Sequence, residues 1–154
     1  MEVHSKWYDD IARSINSHKD TLSKKDYKKY KLDLLLRVAK RVTGFSSECG
    51  ECQLFQPEIA NLSKELSDLV QMSKEKRKSY FKMINKIIKH LQKQHKLITE
   101  GHNLGIWIAI GVALGVALGA GLDNVGAGIA IGVGIGVAIG SYLNNKAKKE
   151  GRVI

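Results

Sequence analysis

Apolar positions follow two different rules along this chain. Through the first hundred residues they recur at spacings of three and four, the mark of amphipathic helices. Trp7, Ile11 and Ile15 fall on one helical face, and Tyr27, Tyr30, Leu34, Leu35, Val38 and Val42 on another, with Ser23 or Asp26 as the N-cap of that second helix. Pro57 suits the first position of a helix. Beyond it, Ile59, Leu62, Leu66 and Leu69 keep the spacing, and Tyr80, Met83, Ile84, Ile87, Ile88, Leu91 and Ile98 resume it. The intervening Met72–Ser79 is almost wholly polar, so it is either an exposed stretch of one helix or a junction between two. One break is clear, at 44–57, where Gly44, Gly50 and Pro57 cluster. The expectation for 1–100 is an all-α, coiled-coil-like bundle.

The second rule begins after residue 101. Leu104–Leu122 and Val125–Leu143 are each 19 residues long and carry no charge, with Asp123 and Asn124 between them. As helices each would span about 28 Å, close to the hydrocarbon thickness of a bilayer. A break this short suits a helix that crosses, turns and returns. The remaining chain is too polar and lysine-rich to wrap two bare helices inside a soluble globule. The fold class expected is therefore all-α: a helical bundle at 1–100, a transmembrane hairpin at 101–145 (helices 104–122 and 125–143), and a basic tail at 146–154.

Within the hairpin, large apolar residues alternate with Gly or Ala. A period of two also fits a β-strand, but a 19-residue strand would be about 60 Å long, roughly twice the bilayer core. A lone β-hairpin would also leave open edges in lipid. On helices the alternation splits into two every-fourth stripes on nearly opposite faces, because two residues advance the helix by about 200°. One pair of stripes is Gly111, Gly115, Gly119 and Gly128, Gly132, Gly136, Gly140. The other is Ala109, Ala113, Ala117 and Gly126, Ala130, Gly134, Ala138. Small residues at this spacing let backbones approach closely in lipid. One stripe per helix suffices to close the hairpin, and the opposite one is left for lateral self-association.

The segments Gly111–Gly119 and Gly128–Gly140 resemble the glycine-zipper motif of small two-helix membrane proteins and of some channel and toxin segments. They are also similar to the glycine-striped hairpin of rotary ATP synthase ring subunits. The departure there is the absence of any carboxylate inside either segment, which argues against proton translocation.

Charge adds an orientation. Residues 1–100 hold 21 basic and 13 acidic groups, a surplus of eight, while 13 of the 15 glycines lie after residue 100. Lys93 and Lys96 precede the hairpin, and Lys146, Lys148, Lys149 and Arg152 follow it, whereas its turn carries only Asp123. The positive-inside rule then places both termini in the cytoplasm of a plasma-membrane protein, and the N-terminus lacks the apolar run of a secretory signal. The lysines are spread over every helix without a nucleic-acid motif, which favours anionic lipid headgroups over nucleic acid as the partner.

Candidate chemistry is sparse. Cys49 and Cys52 enclose Gly50 and Glu51 in the break, giving half of a tetrahedral zinc site. A second copy of the chain would complete it, or His90 and His95 would, although five residues apart on a helix these two point about 140° away from each other. The equal alternative is a loop that binds nothing, and no other cofactor is expected. Arg13 and His18 have the R-x4-H spacing that resembles HEPN nucleases, with Ser14 where those enzymes favour Asn, His or Asp. No other catalytic constellation is present, so no catalytic residue is assigned. The reading is a non-enzymatic, homo-oligomeric scaffold, anchor or regulator that presents a protein-partner surface. A pore-forming or membrane-disrupting effector stands second, and a membrane-tethered RNase third.

Overall fold

The computed structural model describes residues 6–19, 22–68 and 71–154. They form two compact units, one up to His95 (with the terminal Ile154) and one from Lys96 to Val153. Among them the secondary structure is helical, apart from a single bridge between Ile98 and Val153.

The first unit is built from α1 (Lys6–Ser17), α2 (Lys24–Lys29), α3 (Leu32–Phe45), α4 (Gly50–Lys64) and α5 (Lys74–Gln94), with a 3-10 turn at Glu65–Asp68. Helix α3 is its centre and packs against α1, α4 and α5. Its Leu32, Leu35, Val38, Ala39 and Val42 are fully buried, as are Ile15 of α1, Ile59 of α4 and Ile87 and Leu91 of α5. The buried Tyr80 hydroxyl donates to the Tyr30 carbonyl oxygen at 3.1 Å, tying α5 to the α2–α3 corner. Burial drives the Tyr80 phenol well above its ordinary range, so this donor keeps its proton.

Three features depart from the periodicity. The expected helix through Tyr27–Val42 is broken at Lys31, whose φ of 54° is left-handed, although Ser23 does cap α2 by accepting the Asp26 N–H. Pro57 lies inside α4 rather than at its first position. The long stretch after it is two helices. Helix α4 ends at Lys64, and α5 begins anew at Ser73, whose Oγ accepts the Lys76 N–H. Leu69 lies outside the described residues.

The second unit is a hairpin of α6 (His102–Gly121) and α7 (Val125–Lys149), both long and apolar enough to cross a membrane. Helix α7 runs past Leu143 and takes Lys146, Lys148 and Lys149 into its last turn, where they complement the helix dipole. At the tight end, Asp123 takes φ 51° and the Asn124 N–H donates back to the Gly119 carbonyl oxygen at 2.9 Å. The Asn124 Oδ1 accepts the Ala127 N–H at 3.0 Å and caps α7. Asn124→Ala is expected to destabilise the hairpin by about 0.5–2 kcal/mol, while Asn124→Asp retains the cap; thermal unfolding in detergent would register the difference. At the open end, Asn144 Oδ1 accepts the Asn103 N–H, and Lys148 pairs with Glu100 at 3.2 Å.

Candidate functional site

The hairpin interface is backbone against backbone. Gly111, Gly115 and Gly119 on α6, and Gly128, Gly132, Gly136 and Gly140 on α7, are all buried. A methyl at Gly119 would stand 2.7 Å from the Val125 Cα, one at Gly128 2.6 Å from the Gly119 Cα, and one at Gly140 2.7 Å from the Leu104 Cα. Gly111 faces the Gly132 carbonyl, Gly115 that of Gly128, and Gly136 that of Trp107. Only hydrogen fits at these seven positions. The opposite stripes are open: Ala109, Ala113 and Ala117, and Gly126, Ala130, Gly134 and Ala138, are exposed or half-buried, with Leu114 60% and Ile131 61% exposed beside them.

Residues 99–146 match the glycine zipper membrane protein family. The zipper covers α6 and most of α7, and with two helices of spanning length it makes this chain a membrane protein whose hairpin lies in a lipid bilayer. No curated protein and no solved structure matches the chain.

The first unit holds a second cluster. Cys49 is the N-cap residue of α4 with extended backbone, and Cys52 lies in the first turn, fully buried. Helix α5 brings His90, four residues before its end, and His95, immediately beyond it. Cys49 Sγ lies 3.3 Å from His90 Nε2, Cys52 Sγ 3.5 Å from His90 Nε2, and Cys52 Sγ 3.4 Å from His95 Nε2. All four ligand atoms fall within 4.8 Å of one another and could bind a metal. The opposed directions expected of His90 and His95 are thus corrected. The helix ends at Gln94, and His95, just beyond it at φ −104°, has its ring 5.3 Å from that of His90 between centroids.

The surroundings fix both imidazoles. Glu51 Oε2 is 2.7 Å from His90 Nδ1, and Phe55 meets the same ring edge-on. Phe45 stacks on His95 at 3.9 Å between centroids. Burial, then the neighbouring His90, pulls His95 below its ordinary pKa, with Glu48 acting the other way, so its imidazole is neutral near pH 7. Burial above all, with the Cys49 hydrogen bond and the Cys49 and Glu51 charges behind it, pushes the Cys52 thiol up to about 12. Cysteines paired by C-x2-C want two further ligands, and two histidines at a helix end were the signal for them. What the spacing left out was where that helix stops.

Arg13 extends to Asp10 at 3.2 Å on the surface, while His18 Nδ1 lies 2.7 Å from the Ser14 carbonyl oxygen. The two side chains are turned to different partners.

Proposed function

We propose that this protein is a non-enzymatic scaffold or anchor that crosses the plasma membrane twice and self-associates through the outer small-residue stripes. The observation that carries the reading is that closing the hairpin uses one stripe on each helix and leaves the other facing out. Lipid offers no hydrophobic force between helices, so association there depends on close backbone approach, and Gly126, Ala130, Gly134 and Ala138 permit it. Both termini are assigned to the cytoplasm. In support, Lys146, Lys148 and Lys149 lie at one end of the hairpin, where Trp107 near the start of α6 and the exposed Tyr142 on α7 suit a headgroup belt. The helical unit is the surface presented to a protein partner. Lys78, Lys82, Lys86 and Lys89 line an open groove on α5, which suits anionic headgroups. Zinc is the ion its Cys/His cluster would take.

The test is crosslinking and mass measurement in mild detergent. Oligomers are expected, and Ala113→Leu or Gly134→Leu, each on open ground, are expected to weaken them about tenfold. A monomer under these conditions would refute self-association. Dye leakage from liposomes that the same substitutions abolish would replace the scaffold by a pore.

A further inference from the structure

The cysteine–histidine cluster carries an inference independent of self-association. Tetrahedral zinc, with Zn–S near 2.3 Å and Zn–N near 2.0–2.1 Å, spaces its sulfur and nitrogen ligands by about 3.6 Å. Three of the four sulfur–nitrogen separations here are 3.3, 3.5 and 3.4 Å, and all four ligand atoms lie within 4.8 Å of one another. The four side chains are of the types that ligate zinc. Glu51 Oε2 lies 2.7 Å from His90 Nδ1, which leaves Nε2 as the ring atom that faces the two sulfurs. Cys52, with one proton to give, lies within reach of two Nε2 atoms. Four such atoms gathered at one partly buried point make a cation's ligand set.

The ligand types select the ion. Two thiolates and two imidazoles exclude the oxygen-seeking Mg²⁺ and Ca²⁺, and a tetrahedral S2N2 set is the zinc pattern. All four ligands come from this one chain, so no position remains for water or substrate. Such a closed centre is structural rather than catalytic. Its location gives it work: the cysteines open α4, the histidines close α5, and α5 otherwise packs chiefly on α3.

We infer that Cys49, Cys52, His90 and His95 bind one zinc ion as a closed Cys2His2 centre that clamps the start of α4 to the end of α5. Glu51 is a positioning residue, holding the His90 ring in the tautomer that presents Nε2 to the metal. Binding displaces the two thiol protons, so two thiolates and one Zn²⁺ form a neutral centre in place of two thiols.

The experiment uses the full chain, purified in mild detergent under reducing conditions without chelators. Elemental analysis is expected to find about one zinc per chain, and the Cys49→Ser/Cys52→Ser double variant to find none. Because that variant could unfold, a second measurement adds Co²⁺ to chelator-treated wild-type protein. Intense visible bands of tetrahedral cobalt with thiolate-to-cobalt charge transfer are expected, to be bleached by one equivalent of Zn²⁺. Glu51→Gln is expected to keep the stoichiometry and weaken zinc binding by about 10- to 100-fold, whereas Glu58→Gln leaves it unchanged. Removing zinc is expected to accelerate amide exchange over residues 74–94 more than over 125–149. Zinc no higher than in the double cysteine variant, or a cobalt spectrum without thiolate bands, overturns the site. Unchanged affinity in Glu51→Gln overturns the positioning role, and unchanged exchange over 74–94 overturns the clamp.

Discussion

Gly132→Ala is expected to pry the hairpin apart, although it adds a single methyl group to a membrane helix. The added carbon would land on the Gly111 carbonyl and lie 3.0 Å from the Gly115 Cα. Both obstacles are backbone, and backbone has no rotamer with which to step aside. The helices must separate or slide, losing the contacts on either side of the clash at a cost of about 1–3 kcal/mol or more. In lipid nothing replaces those contacts, because the tails are as apolar as the helix surface. The same change two residues on, Gly134→Ala, meets open space and raises helix propensity by up to about 1 kcal/mol. Cysteine pairs placed across α6 and α7 and oxidised in detergent would read the outcome. Crosslinking is expected to collapse in the Gly132 variant and persist in the Gly134 variant. Equal crosslinking in both would mean that the two faces are not packed as described.

In the helical unit, Leu35→Ala has the largest expected effect. Leu35 is completely buried on α3, the helix that touches α1, α4 and α5, so no neighbour can collapse into the space without leaving another. Deleting three carbons there costs about 2–5 kcal/mol, a large share of what holds a unit of this size together. Leu54 on α4 is 70% exposed, and Leu54→Ala is expected to change stability by no more than about 0.5 kcal/mol. Urea or thermal unfolding of the full chain, followed by helical circular dichroism, distinguishes the two. A Leu35 variant that unfolds with the wild type would remove α3 from the centre of the fold.

How much of this was legible in the residues differs between the two units. The hairpin was readable because lipid imposes few rules. Charge-free length sets the spans, and four-residue spacing of glycine sets the packing face. The observed α6 starts at His102, two residues before the uncharged run at Leu104, since a polar first turn remains helical outside the apolar core. The helical unit was readable in its apolar faces and misread at its joints. Apolar spacing runs straight through Tyr30 and Lys31, yet the chain takes a left-handed residue there, a conformation that lysine adopts rarely and that no local pattern announces. At Pro57 the usual preference for a helix start was overridden. The helix begins seven residues earlier at Gly50 and runs on through the proline, leaving the Gln53 carbonyl without its ordinary helical donor.

The cysteine–histidine cluster was half visible for a related reason. Counting 100° per residue from His90 to His95 presumes a helix throughout, whereas the last helical residue is Gln94. In the structure the two rings are neighbours, their centroids 5.3 Å apart. Periodicity describes the interior of an element and is silent beyond its last residue, which is where His95 sits.

The bareness of the zipper has a consequence for how firmly the two rods hold. Where leucines interlock, every joint must arrest several bond rotations, and that lost freedom offsets part of the attraction. The surfaces meeting at Gly111, Gly115 and Gly132 have no rotatable side chain to arrest. Even a weak attraction between such faces is therefore kept nearly whole, so the pair behaves as one stiff body, and adaptation to lipid or to a neighbour is left to its outer side chains.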